Sequence, residues 1–169
     1  EDAITSIKKI IDPLKTQIVL RSTVPPGTSD ELDVYFMPEF LTEKNWKEDF
    51  INCKSWIFGL KKNAEEENNS FIKNIKTLWS EAVNNNLIKY DKLEFVSSQE
   101  AEMIKYFKNV FLAVKVGICN EMEMFCSKKQ INYDTVRNLA CEDYRITLSH
   151  TQVPGHDGKR GFGGTCFPK

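Results

Sequence analysis

The feature that most constrains this chain is a helical stretch that runs uninterrupted from about residue 99 to residue 130. Met103, Phe107, Val110, Val114, Ile118, Met122 and Phe125 recur along it at steps of three and four, which puts them on one stripe of a helix. Leu112, Ala113, Val116 and Gly117 leave the middle turns apolar nearly all round. Such a helix needs cover on several sides. In a chain of 169 residues that cover comes from burial between domains or from a second copy of the same helix.

Before this helix the pattern alternates. Ile4, Ile7, Ile11 and Leu14 are spaced for a short amphipathic helix that leaves at Pro13. "TQIVLRST" (16–23) is a compact β-branched run, closed by the prolines and glycine of "VPPGTS", and reads as a buried strand and a turn. Val34 to Met37 predicts a strand cut by Pro38, and "SWIFGL" (55–60) another ended near Gly59. Three glutamates at 65–67 read as a solvated helix start. Phe71, Ile72, Ile75, Leu78, Trp79, Ala82 and Val83 then form one helical face. A short strand at "LEFVSS" precedes the long helix, "YDTVRNLACEDYRI" reads as a shorter helix, and 147–165 is glycine-rich and irregular. Strands separated by helices predict an α/β fold on a parallel sheet, here over residues 1–98, followed by a mainly helical domain over 99–169.

Composition narrows the function. With 41% apolar and 28% charged residues and a net charge of −1, the chain has a globular balance and no basic stripe for a phosphate backbone, so nucleic acid is not an expected partner. No apolar run approaches the roughly 20 residues that span a bilayer, and "EDAITSIKKI" lacks the features of a signal peptide, so a cytoplasmic protein without membrane association is expected. Five cysteines with no Cys-x-x-Cys pair argue against a disulfide framework, and Cys119 and Cys126, two helical turns apart, cannot bridge. His150 and His156 have no ligand at metal-binding spacing, so no metal is expected.

The candidate chemistry lies in four places. In "RGFGGTC" the glycines at 161, 163 and 164 let the backbone take positive φ and approach a ligand closely, so Cys166 is either a presented nucleophile or an inert cysteine. Lys105 and Asn109, one turn apart and off the main apolar stripe, are either a solvent-facing pair or a cation and an amide aimed into a cleft. Glu39 and Glu43 in "PEFLTE" follow a strand, at the edge where open α/β sheets meet ligands. Thr23 ends another strand, where its hydroxyl could hold water or a cofactor group.

In this order the motifs "STVPPGT" (22–28), "PEFLTE" (38–43), "AEMIKYFKNVFLAVKVGICNE" (101–121), "DYRI" (143–146) and "GFGGTCFPK" (161–169) resemble the UDP-glucose/GDP-mannose dehydrogenases across almost the whole chain. The resemblance implies the distal part of a Rossmann-type sheet, then a helical dimerisation domain whose long helix forms a homodimer core. It implies oxidation of the C6 alcohol of a UDP-sugar, UDP-glucose foremost, to a carboxylate with NAD in two hydride transfers. Cys166 would attack the aldehyde and carry a thiohemiacetal, then a thioester. Lys105 and Asn109 would support the oxyanion or hold the substrate. Thr23 and Glu43 would place water and cofactor, and Glu39 would act as a base or orienting group. Phe40, Leu41, Phe162, Gly163 and Gly164 would line the sugar-nucleotide cleft, with Arg145 reaching the nucleotide of the neighbouring subunit.

Met37 stands where the family usually has asparagine, and Lys44 where it has glycine. No Gly-x-Gly-x-x-Gly follows an opening strand, so the expectation is the middle of a longer enzyme that binds NAD poorly and turns over little as this chain alone. GDP-mannose or a UDP-N-acetyl sugar as substrate, a non-catalytic dimerising or nucleotide-sugar-binding module, and a thiol enzyme of unrelated chemistry remain as other readings.

Overall fold

The computed structural model describes residues 2–13, 15–42 and 44–162. The chain divides into two compact units, Glu1–Tyr106 and Phe107–Lys169.

The first unit holds helix α1 (Asp2–Lys8), strand β1 (Val19–Leu20), α2 (Thr28–Glu31), β2 (Tyr35–Phe36), α3 (Trp46–Ile51), β3 (Trp56–Leu60), α4 (Glu65–Asn84), β4 (Leu93–Ser97) and the first turns of α5 (Ser98–Lys128). The strands form one mostly parallel sheet in the order β1-β2-β3-β4, the α/β arrangement that the alternation of strands and helices predicts. β1 pairs with β2 and β3 with β4 in parallel, whereas β2 meets β3 antiparallel at Phe36 and Gly59.

The core lies between the sheet and α4. Tyr35, Met37, Trp56, Phe58, Phe71, Ile75 and Ile88 are buried together. Tyr35 stacks on Phe71 with ring centroids 3.7 Å apart, and Phe58 meets Trp79 edge-on at 5.1 Å. The Trp56 indole N–H is satisfied by the Tyr90 carbonyl at 2.8 Å, which lets so large a ring be buried. Burial pushes the Tyr35 hydroxyl up to about 12, and nearby Glu67 and Asp33 add to it. Glu65, Glu66 and Glu67 occupy the first turn of α4, where negative charge suits the helix dipole.

Several elements are shorter than the pattern predicts. α1 stops at Lys8, and of its expected apolar face Ile4 is buried, Ile7 is exposed and Ile11 is half-buried; Leu14 lies outside the described residues. β1 ends at Leu20, so Thr23 sits three residues into the following loop rather than on the strand. β3 ends at Leu60, beside Gly59 as expected, and that glycine serves a close approach. A Cβ there would stand 2.8 Å from Ser98 Cα and 3.1 Å from the Cβ atoms of Ala101 and Phe36.

The second unit contains the rest of α5, then α6 (Tyr133–Ala140) and an irregular segment to residue 162. α6 starts where the Asn132 side chain accepts from the Thr135 amide at 3.0 Å, and it ends at Ala140, short of the "DYRI" stretch. The irregular segment is fastened to α5 by polar side chains. Lys115 Nζ donates to the carbonyls of Ile146 (2.6 Å) and Thr147 (3.0 Å), and the buried Asn120 accepts the Gly161 amide at 2.9 Å. Arg160 pairs with Glu123. The apolar stripe of α5, by contrast, stays open: Met103, Phe107, Val110, Val114, Ile118, Met122 and Phe125 are all more than half exposed.

Candidate functional site

In the first unit the site grows from two loops that leave the same edge of the sheet, because β1 and β2 run parallel. The loop after β2 carries Glu39, Phe40 and Leu41. Lys105, on the second turn of α5, reaches this loop and is 6% exposed, which removes the reading of a solvent-facing lysine. Its Nζ donates to the Glu39 carbonyl at 2.5 Å and lies 3.8 Å from the Glu39 carboxylate and 5.9 Å from the Phe40 ring centroid. An ammonium so withdrawn from water, held by a carbonyl, a carboxylate and an aromatic face, is a fixed positive charge that can stabilise an oxyanion.

The loop itself is braced. Glu39 Oε1 accepts from the Leu41 amide at 3.0 Å, so the carboxylate both faces Lys105 and ties down its own backbone. The Thr42 amide and hydroxyl both donate to Asp49 Oδ2 on α3. Those bonds, the hydroxyl first, hold the Asp49 carboxyl below its ordinary range. Glu43, the next residue, lies outside the described residues.

Thr23 lies half-buried in the loop after β1. That loop ends on a side chain that sequence reasoning missed. Glu102 is fully buried, and its carboxylate accepts from the amides of Gly27 (2.6 Å) and Ser29 (2.8 Å). The available signal was its spacing: Glu102 precedes Lys105 by three positions, so both project from one side of the helix.

In the second unit, Asn109 is half-buried on α5. Arg145 is exposed and forked onto Asp143, its Nε 2.9 Å from Oδ1 and its Nη2 2.5 Å from Oδ2. The Arg145 guanidinium lowers the Asp143 carboxyl, and Asp143 raises Arg145 in turn. Phe162 is 49% exposed and follows Gly161, whose φ of +85° favours glycine. Gly163, Gly164 and Cys166 lie outside the described residues. Asn120 and Glu123, which hold Gly161 and Arg160, were also missed.

Cys53, Cys119 and Cys141 are half-buried and Cys126 is buried, all four as free thiols. Among the described residues no cluster of three or more His, Cys, Asp or Glu side chains could hold a metal ion, and no helix is long and apolar enough to cross a membrane.

Comparison with known proteins shows what the chain is similar to. Residues 99–169 match the central domain of the UDP-glucose/GDP-mannose dehydrogenase family. A UDP-glucose 6-dehydrogenase of Rickettsia typhi is 30% identical over 99% of the chain, which spans 38% of that relative. Two solved structures share the fold over 90% of the chain. One is a UDP-glucose dehydrogenase from Pyrobaculum islandicum (TM-score 0.68, 28% identity, 34% of that protein covered). The other is a GDP-mannose dehydrogenase from Pseudomonas aeruginosa (TM-score 0.58, 26% identity, 35% covered). The chain thus spans little more than a third of the relatives it matches. These matches mean that the chain belongs to the UDP-glucose/GDP-mannose dehydrogenase family.

Proposed function

We propose that this chain forms the middle of an NAD-dependent nucleotide-sugar 6-dehydrogenase, with residues 1–98 belonging to the cofactor domain and 99–169 to the helical dimerisation domain. The parent enzyme, a cytoplasmic protein, oxidises UDP-glucose to UDP-glucuronate. The observation that carries this reading is Lys105, buried against the Glu39 loop at the end of a sheet where open α/β folds meet ligands, in a fold that is similar to a solved UDP-glucose dehydrogenase.

NAD, when bound, accepts the hydrides that leave the sugar C6. Among the described residues Thr23 offers a half-buried hydroxyl that suits the carboxamide of the nicotinamide end, whereas the nearby amides of Gly27 and Ser29 are already bonded to Glu102 and are not available to a phosphate. Glu43 is proposed beside Thr23 in placing cofactor and water.

The chain's own groups then act at one carbon. Loss of a hydride and a proton turns the C6 alcohol into an aldehyde, and the Cys166 thiolate adds to it, forming a C–S bond and an oxyanion. Lys105 and Asn109 stabilise that oxyanion, which keeps the aldehyde from escaping. Loss of a second hydride leaves a thioester, and water oriented by Glu39 and Thr23 cleaves it to the carboxylate and the free thiol. Phe40, Leu41, Phe162, Gly163 and Gly164 line the sugar-nucleotide cleft. Arg145 serves the site of a neighbouring subunit, and the exposed stripe of α5 supports a homodimer in which two such helices cover each other.

The test is the rate of NADH formation by the full-length enzyme with UDP-glucose, GDP-mannose and UDP-N-acetylmannosamine. UDP-glucose should give the highest kcat/KM, and Cys166→Ser should abolish carboxylate production. A clear preference for GDP-mannose would move the chain to the other branch of the family. Wild-type carboxylate output from Cys166→Ser would remove the covalent route.

A further inference from the structure

Glu102 does something that the reaction as proposed does not require of it. It is fully buried, and each of its carboxylate oxygens accepts one backbone amide, Oε2 from Gly27 at 2.6 Å and Oε1 from Ser29 at 2.8 Å. A buried carboxylate is costly, and an apolar side chain would fill the space at less expense. What a carboxylate supplies, and a glutamine does not, is two acceptor oxygens for two neighbouring donors.

Those donors close the turn that follows Pro25 and Pro26. Gly27 sits at φ 102°, in the left-handed region, and Thr28 Oγ1 donates to the Pro25 carbonyl at 2.7 Å. The loop from Arg21 to Gly27 is therefore fixed at one end by β1 and at the other by Glu102, with Thr23 between them. Three positions along α5, Lys105 holds the Glu39 loop. Two adjacent side chains of one helix thus set the two loops against each other.

We propose that Glu102 is a positioning residue: by holding the Gly27 and Ser29 amides it sets Thr23 relative to Lys105. This rests on the reading that Thr23 and Lys105 serve the same sugar carbon. Glu102 touches neither substrate nor cofactor, so its effect falls on turnover rather than on affinity.

The experiment compares Glu102→Gln, Thr23→Ala and the double variant in the full-length enzyme, with amide hydrogen exchange on each. Glu102→Gln is expected to lower kcat about tenfold with KM for the nucleotide sugar within about twofold. Because Glu102 acts through Thr23, the double variant should be no slower than Thr23→Ala alone. The amides of Gly27 and Ser29 should exchange at least about tenfold faster once an acceptor is lost. Wild-type kcat in a folded Glu102→Gln protein, or a double variant slowed by the product of the single effects, overturns the proposal. A wild-type enzyme that oxidises no nucleotide sugar defeats the functional reading instead, and exchange then decides the clamp alone: unchanged protection in Glu102→Gln refutes it. If that variant does not fold, free-peptide exchange at Gly27 and Ser29 in the unsubstituted protein refutes it equally.

Discussion

Gly161 donates its amide hydrogen to Asn120 Oδ1 over 2.9 Å, joining the start of the glycine loop to a helix position 41 residues earlier. Asn120 is buried and also gives its own Nδ2 hydrogen to the Val116 carbonyl at 2.8 Å, so its amide orientation is defined by both partners. Asn120→Ala should leave the Gly161 amide without its acceptor and cost about 1–3 kcal/mol. Urea denaturation and faster exchange at Gly161 would register the loss; unchanged exchange would mean that the bond does not hold the loop.

Lys105 makes the sharpest catalytic prediction. Replacing it with methionine keeps most of the buried stem and removes the charge beside Glu39. Turnover should drop by about 10²–10³-fold, the range for removing one oxyanion donor, while the folded structure survives by circular dichroism. A folded Lys105→Met enzyme with near-normal kcat would take Lys105 out of the reaction.

Gly59 tests the packing of β3 against α5. Placing alanine in a strand in place of glycine ordinarily helps by about 0.5–1 kcal/mol. Here the new Cβ would stand 2.8 Å from the Ser98 backbone, which cannot rotate away. Gly59→Ala should therefore destabilise by about 1–3 kcal/mol, and the sign of the shift in Tm decides the matter.

The open stripe of α5 predicts association. Val114 and Ile118 lie one turn apart in its middle and are 55% and 57% exposed. Glutamate at both positions would put charge where a second helix is proposed to pack, and sedimentation should show the assembly falling to smaller species. An unchanged mass would place the homodimer contact elsewhere.

His150 gives the pH dependence. Burial, and next the charge of Lys115, lower it from 6.5, and its Nδ1 lies beside the Ser149 hydroxyl. The unfolded chain then takes up the proton more readily than the native one. The stability this confers is present above 6.5 and is lost as pH falls through the lower native value. His150→Gln should flatten that part of the urea-midpoint profile; an identical slope in the variant would assign it to other groups.

Much of this was legible in the sequence because it depends on local period. The long α5 helix, the buried faces of β2 and β3, and the helical start at Glu65–Glu67 follow from spacings of two and of three or four residues. The motifs around Lys105 and Glu39 were equally visible, since each side chain lies in a short run of recognisable order. The end of β1 was not, because that strand stops where its pairing with β2 stops and not where its apolar run stops.

What the sequence alone determined is therefore the alternation of strands and helices, the apolar helix that ties the chain together, and the residue types that suit a dehydrogenase. The tertiary structure decided which polar side chains of that helix hold which loops. Glu102 with Gly27 and Ser29, Lys105 with Glu39, and Asn120 with Gly161 join positions 41 to 75 residues apart. No periodicity encodes such pairs. A buried carboxylate, ammonium or carboxamide must find a partner wherever the fold brings one, and only the folded chain shows where that is.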